Sequence, residues 1–81
     1  MILHQHFDVN QKGHLTVGGM DTVELAAKHG TPLYLYDEAR VRHNCRTYLE
    51  AVREGFGEDA RVMYASKAAS FKRLYEIMKE E

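Results

Sequence analysis

The sequence predicts an α/β chain: a β-hairpin, then strand, helix, strand and helix in the order that opens a parallel α/β fold. Three observations predict it. Apolar and polar residues alternate on both sides of Asn10-Gln11-Lys12-Gly13. Two short runs, Leu33-Tyr34-Leu35-Tyr36 and Val62-Met63-Tyr64-Ala65, are apolar without interruption, as in strands buried on both faces. Each run is followed by apolar residues recurring every three or four positions, the spacing of an amphipathic helix.

In chain order, His6-Phe7-Asp8-Val9 and His14-Leu15-Thr16-Val17 form the hairpin, with glycine in its loop. Phe7, Val9, Leu15 and Val17 then share one apolar face, and an isolated hairpin needs something to cover such a face. Gly18-Gly19 turns the chain. Asp21, followed three residues later by Glu24, matches a capping box opening a short helix through Val23, Leu25, Ala26 and Ala27. Gly30 ends that helix, with Pro32 two residues beyond. After the strand at Leu33–Tyr36, Asp37 caps a helix whose stripe is Val41, Cys45, Tyr48, Leu49, Val52 and Phe56, and Gly55 and Gly57 stop it. The second strand runs from Val62 toward Lys67. Ser70 is the expected cap of a last helix carrying Phe71, Leu74, Tyr75 and Met78 on one side.

The chain has 81 residues, so it holds one small domain at most, and a core of that size is marginal. Its 11 basic and 12 acidic residues are mixed along the sequence, which leaves no electrostatic footprint for nucleic acid. No stretch has the length or apolarity of a membrane span, and residues 1–6 lack the charged and apolar regions of a signal peptide. A cytoplasmic protein is the expectation. Cys45 has no cysteine to pair with and fits a reduced, buried thiol on a helical stripe.

The chemistry-bearing candidate is Lys67. On the two-residue period of a strand, Met63, Ala65 and Lys67 share a face, so a lysine stands last on an otherwise apolar surface. Partial desolvation there would disfavour its charged form, and only the neutral amine attacks an aldehyde to form a Schiff base. Ala65, Ala68 and Ala69 leave room beside it for a planar group. The residue type alone better fits a lysine whose ammonium snorkels into water from the end of an ordinary strand.

A resemblance adds to this. Tyr64-Ala65-Ser66-Lys67-Ala68, with Gly30-Thr31-Pro32-Leu33-Tyr34-Leu35-Tyr36-Asp37 upstream, resembles the N-terminal segment of diaminopimelate decarboxylases, pyridoxal 5'-phosphate (PLP) enzymes of the alanine-racemase-like barrel class. The resemblance implies that Lys67 binds the cofactor covalently and that Ala65 lines it. It implies a reaction in which meso-diaminopimelate loses CO2 to give lysine, in lysine biosynthesis, by an enzyme that is a homodimer at full length. Ala68-Ala69-Ser70-Phe71 differs from the segment after the lysine in alanine racemases, and Ser66 stands where ornithine and arginine decarboxylases carry Val or Ile. A decarboxylase of ornithine, arginine or a carboxylated polyamine is the alternative within the class. A non-catalytic α/β interaction module, binding a partner through its uncovered hairpin, is the alternative outside it.

In that family residues 1–19 would join a separate β domain, and residues 20–81 would begin the PLP-binding (β/α)8 barrel, which takes eight strands and about 250 residues. The chain stops at Lys79-Glu80-Glu81, without a C-cap glycine and with carboxylates where the helix dipole disfavours them. The expectation is therefore a truncated barrel, inactive alone. The family's phosphate site, acidic partner for the ring nitrogen and substrate-binding groups lie downstream of Glu81.

Other clusters carry less. His4, His6 and His14 can face one another across the hairpin, but no cysteine or acidic partner completes a metal set, and no metal is expected. Tyr34, Tyr36 and Tyr64 are read as packing residues of buried strands. Gly18-Gly19 matches neither glycine-rich phosphate fingerprint.

Overall fold

A computed structural model describes residues 6–81. The chain divides into two compact units, the first ending at Asp37 and the second running from Glu38 to Glu81.

The first unit is a three-stranded antiparallel sheet followed by a helix. Strands β1 (Phe7–Val9) and β2 (Leu15–Val17) pair with Phe7 opposite Val17 and Val9 opposite Leu15, which puts the four apolar residues on one face as expected. That face stays open: Phe7, Val9 and Leu15 are each exposed by about two-fifths, and the buried residue of the sheet is Thr16. A third strand, β3 (Met20–Asp21), adds to β2. Only two residues, Gly18 and Gly19, join it to β2, both at positive φ (58° and 81°). A two-residue turn that twists with its strands needs positive φ at both positions, and glycine adopts it without steric cost. At Gly18 a side chain would also crowd the Asp37 carboxylate, whose nearest oxygen is 3.1 Å from where a Cβ would stand.

Helix α1 (Thr22–His29) begins at Asp21, whose side chain accepts from the backbone amides of Val23 and Glu24. Gly30, at φ 82°, closes it by donating its amide to the Ala26 carbonyl. The Asp21 carboxylate does more than cap. Its other oxygen accepts from Asn10 Nδ2 and meets His14 Nδ1, both at 2.8 Å. Asn10 in turn holds the hairpin loop, its Oδ1 accepting from the amides of Lys12 and His14 at 3.0 Å. Burial pushes the Asp21 carboxyl up, since its side chain is only 8% exposed, but the hydrogen bonds from His14, Asn10 and the two amides outweigh it and hold the group far below the usual carboxylate range.

The second unit is a helical pair. Helix α2 (Glu38–Phe56) half-buries Val41, Cys45, Leu49 and Val52, the expected stripe, while Tyr48 and Phe56 at its margins are exposed. Gly55 lies inside the helix. Gly57 (φ 98°) ends it, its amide donating to the Arg53 carbonyl. Helix α3 (Lys72–Glu80) packs on α2 and carries the two most buried apolar residues among those described, Leu74 and Ile77, each 4% exposed. Ser70 does not cap it; Phe71 is the capping residue, with no side-chain bond, and the Ser70 hydroxyl is hydrogen-bonded to the Tyr75 hydroxyl instead.

Arginines of α2 and carboxylates of α3 tie the pair together. Arg46 holds Glu81 in a two-pronged fork of 2.6 and 2.7 Å. Arg42 reaches Glu80 at 2.6 Å and Glu81 at 3.0 Å, and Arg73 of α3 returns a bond to Glu38 of α2. The carboxylates that looked unfavourable at a helix C-terminus are thus neutralised by arginines thirty-odd positions earlier in the chain.

Two expected strands are not formed. Leu33–Tyr36 and Val62–Ala65 lie outside the three-stranded sheet and form no strand among the described residues. Tyr34 and Met63 are 86% and 92% exposed. A parallel strand takes its hydrogen bonds from neighbours on its edges and its burial from helices on both faces, so an apolar run without them stays a loop.

Three outcomes are expected of this packing. Leu74→Ala should cost about 2–3 kcal/mol, as a cavity at a buried leucine does, and strip the amides of residues 72–80 of their exchange protection. Asp21→Ala should loosen the hairpin loop and the first turn of α1 together, seen as faster exchange at His14, Val23 and Glu24; a change confined to α1 would show that the cap acts alone. The fork from Arg46, reinforced by Arg42, holds Glu81 at about 2, down from its ordinary 4.5. A lowered pKa contributes stability above the ordinary value and loses it as pH falls through the shifted one. Protection of α3 should therefore be constant above about pH 5 and decline toward pH 2, and Glu81→Gln should flatten that decline.

Candidate functional site

Lys67 sits at the head of a tight loop between α2 and α3. After Gly57 the chain makes one turn, the Ala60 amide donating to the Gly57 carbonyl at 3.1 Å, and then runs from Arg61 to Ala65 without a partner strand. Ala65 to Ala68 reverse direction, with the Ala68 amide donating to the Ala65 carbonyl at 3.2 Å, so Ser66 and Lys67 are the central residues of a turn. One step outside it, the Tyr64 hydroxyl donates to the Ala69 carbonyl at 2.8 Å. Both bonds cross the base of a loop whose tip carries the lysine.

The strand reading puts Lys67 last on a buried face, and instead it is exposed, as are Ala65 and Ala68. The loop does supply access and freedom from carboxylates. Lys12 is paired with Glu24 at 2.9 Å, which raises its pKa, and Lys72 lies 4.0 Å from Glu76, whereas Lys67 has no ion pair among the described residues. Alanines on either side keep the approach to its amine uncrowded. These features fit the aldehyde end of a planar cofactor. They offer nothing for a phosphate: no glycine lies between Glu58 and Glu81 to form a backbone cradle.

The other sequence candidates fall elsewhere. His4 lies outside the described residues. His6 packs edge-on against Phe7, with ring centres 4.6 Å apart, and His14 is engaged by Asp21. No group of three or more His, Cys, Asp or Glu is arranged to hold a metal among the described residues. Tyr34, Tyr36 and Tyr64 are exposed and do not pack as core strand residues would. A hollow of about 570 Å³ in the first unit is lined by Asn10, Lys12, Thr16, Asp21, Glu24 and Leu25, around the carboxylate that organises the unit. Sequence reasoning missed the Tyr64 bond, for which the sequence offers no signal. It also missed β3, for which Gly18-Gly19 between Val17 and Met20 was a legible two-residue hairpin signal.

No family model and no solved structure matches the chain. Curated relatives do. The chain is 47% identical over all 81 residues to the diaminopimelate decarboxylase of Bacillus methanolicus and 43% identical over the same length to that of Bacillus subtilis strain 168. It is 47% identical over 76 residues to the diaminopimelate decarboxylase of Methanothermobacter thermautotrophicus. The chain spans 18% of the length of the two Bacillus proteins and 17% of the archaeal one. It is therefore similar, from end to end, to the N-terminal portion of diaminopimelate decarboxylases.

Proposed function

We propose that this chain carries the covalent cofactor anchor of a PLP-dependent diaminopimelate decarboxylase, with Lys67 as the anchor and Ala65 beside it. The observation that carries the reading is similarity over the whole chain to enzymes of that name, with the one exposed lysine loop of the second unit falling on the motif residue. The names of these relatives support diaminopimelate as substrate over ornithine, arginine or a carboxylated polyamine. End-to-end similarity to an enzyme also argues against a free-standing interaction module.

In this reading residues 20–81 open a (β/α)8 barrel and residues 1–19 belong to a β domain. The two apolar runs outside the sheet support it, because Leu33–Tyr36 and Val62–Ala65 have the composition of barrel strands that neighbours would flank. The enzyme would act in lysine biosynthesis in the cytoplasm, as a homodimer.

When bound, the cofactor supplies the electron sink that makes loss of the α-carboxylate feasible. The chain's own part is narrower. Lys67 would hold the cofactor through its side-chain nitrogen. Ala65 and Ala68 keep the volume beside that amine open. The loop is exposed, so a barrel wall closing over Lys67 would set its nucleophilicity. The 81-residue chain by itself should neither bind PLP tightly nor release CO2 from diaminopimelate faster than free PLP does.

The test is a chimaera in which residues 1–81 replace the matching portion of the Bacillus methanolicus enzyme. Borohydride reduction with PLP should label Lys67, and Lys67→Ala should abolish decarboxylation, since no other amine is placed to take over. Labelling at a different lysine, or near-normal activity without Lys67, would overturn the assignment.

A further inference from the structure

We infer that Tyr64 is the positioning residue for Lys67, a clamp that fixes the direction in which the loop presents the amine. The inference rests on reading Lys67 as the covalent anchor and adds a residue to it. The loop has two closures across its base. The inner one, Ala68 amide to Ala65 carbonyl, is long at 3.2 Å and lies in exposed backbone, where water competes for both groups. The outer one, Tyr64 hydroxyl to Ala69 carbonyl, is short at 2.8 Å.

Their surroundings differ as well. Every residue from Arg61 to Ala68 is exposed, whereas Ala69 is half-buried, so the phenol ties the free arm of the loop to the first sheltered point before α3. From there the chain is held again one residue on, where Ser70 and Tyr75 are hydrogen-bonded and Tyr75 belongs to the helix anchored by Leu74 and Ile77. A line of contacts thus runs from the buried face of α3 through Ser70 and Ala69 to Tyr64, and Lys67 lies inside the closed part. Removing the phenol oxygen leaves the single 3.2 Å bond to hold the turn. The Lys67 side chain would then sample many directions, and each attack of its amine on an aldehyde would have to select one of them.

The test uses the 81-residue chain and compares it with Tyr64→Phe, which deletes one oxygen and keeps the ring. Both are treated with PLP, in which the lysine nitrogen adds to the aldehyde carbon and water leaves. Borohydride then delivers hydride to fix the product as a secondary amine, and peptide mapping gives the rate at each lysine. Lys72 and Lys79, on α3, serve as references within the same molecule. Tyr64→Phe should slow Lys67 about fivefold relative to them, the factor that one net hydrogen bond of ordinary strength carries. An unchanged ratio overturns the inference. So does a fall shared by all three lysines, which would mark Tyr64 as holding α3 in place and not the loop.

A second measurement needs no variant: 15N relaxation of Ser66, Lys67 and Ala68 should show order close to that of α3, and order parameters below about 0.6 would show that nothing clamps the turn. Failure of the Lys67 assignment itself would appear separately, in the chimaera's labelled peptide.

Discussion

The carboxylate of Asp21 is the interaction on which the first unit depends. One oxygen satisfies amides at the start of α1 that no helical carbonyl can reach. The other collects Asn10 and His14 from the far end of the hairpin loop. A charged acceptor strengthens each of these bonds relative to a neutral one, and few waters compete with them because the side chain is nearly enclosed. The unit is short of apolar burial: α1 has no buried residue, and the apolar face of the hairpin is open. A polar junction thus fixes the order of strand, turn and helix where a core of this size cannot.

The second unit solves the same shortage differently. Two buried side chains on α3 supply its apolar contact, and three arginines with four carboxylates, Glu38, Glu76, Glu80 and Glu81, brace the helices around it. Single exposed ion pairs contribute little, because water and lost side-chain freedom offset the attraction. The forked Arg46–Glu81 pair is of the stronger kind, since both bonds form in one fixed geometry and Arg42 reinforces the same carboxylate. The bracing raises the pKa of Arg42, through Glu80 first and Glu81 second, and lowers that of Glu81, through Arg46 first and Arg42 second.

What the sequence made legible divides by the range of the interaction. The hairpin register, the Asp21 cap, the Gly30 stop and the stripe of α2 each depend on residues close together in the chain, and each is present. Asp37 does immediately precede α2, but Ser70 gave way to Phe71 at the start of α3 because its hydroxyl found Tyr75. The arginine braces join residues 35 to 39 positions apart, and nothing local announces them. The expected parallel strands failed for the same reason in reverse. Their composition was right, but a strand is made by its neighbours, and apolar composition alone cannot supply them.

Lys67 shows how far local sequence carries a site. The turn that lifts its amine into the open is built from Tyr64 to Ala69, so the motif contains both the reactive group and the hydrogen bonds that shape its loop. Those are properties of a short segment. Nucleophilicity is not, because a lysine amine becomes neutral near pH 7 only when apolar walls or a nearby cation disfavour its charge, and at this exposed loop water reaches it freely. In the proposed reading a covalent anchor is specified by a handful of adjacent residues, while its reactivity would be set by surfaces distant in sequence. In a barrel the face of a strand that carries such a lysine is lined by the strands on either side. The exposed state of Ala65, Lys67 and Ala68 goes with the loop conformation of the two apolar runs: in the proposed barrel, flanking strands would both order the runs and dry the amine.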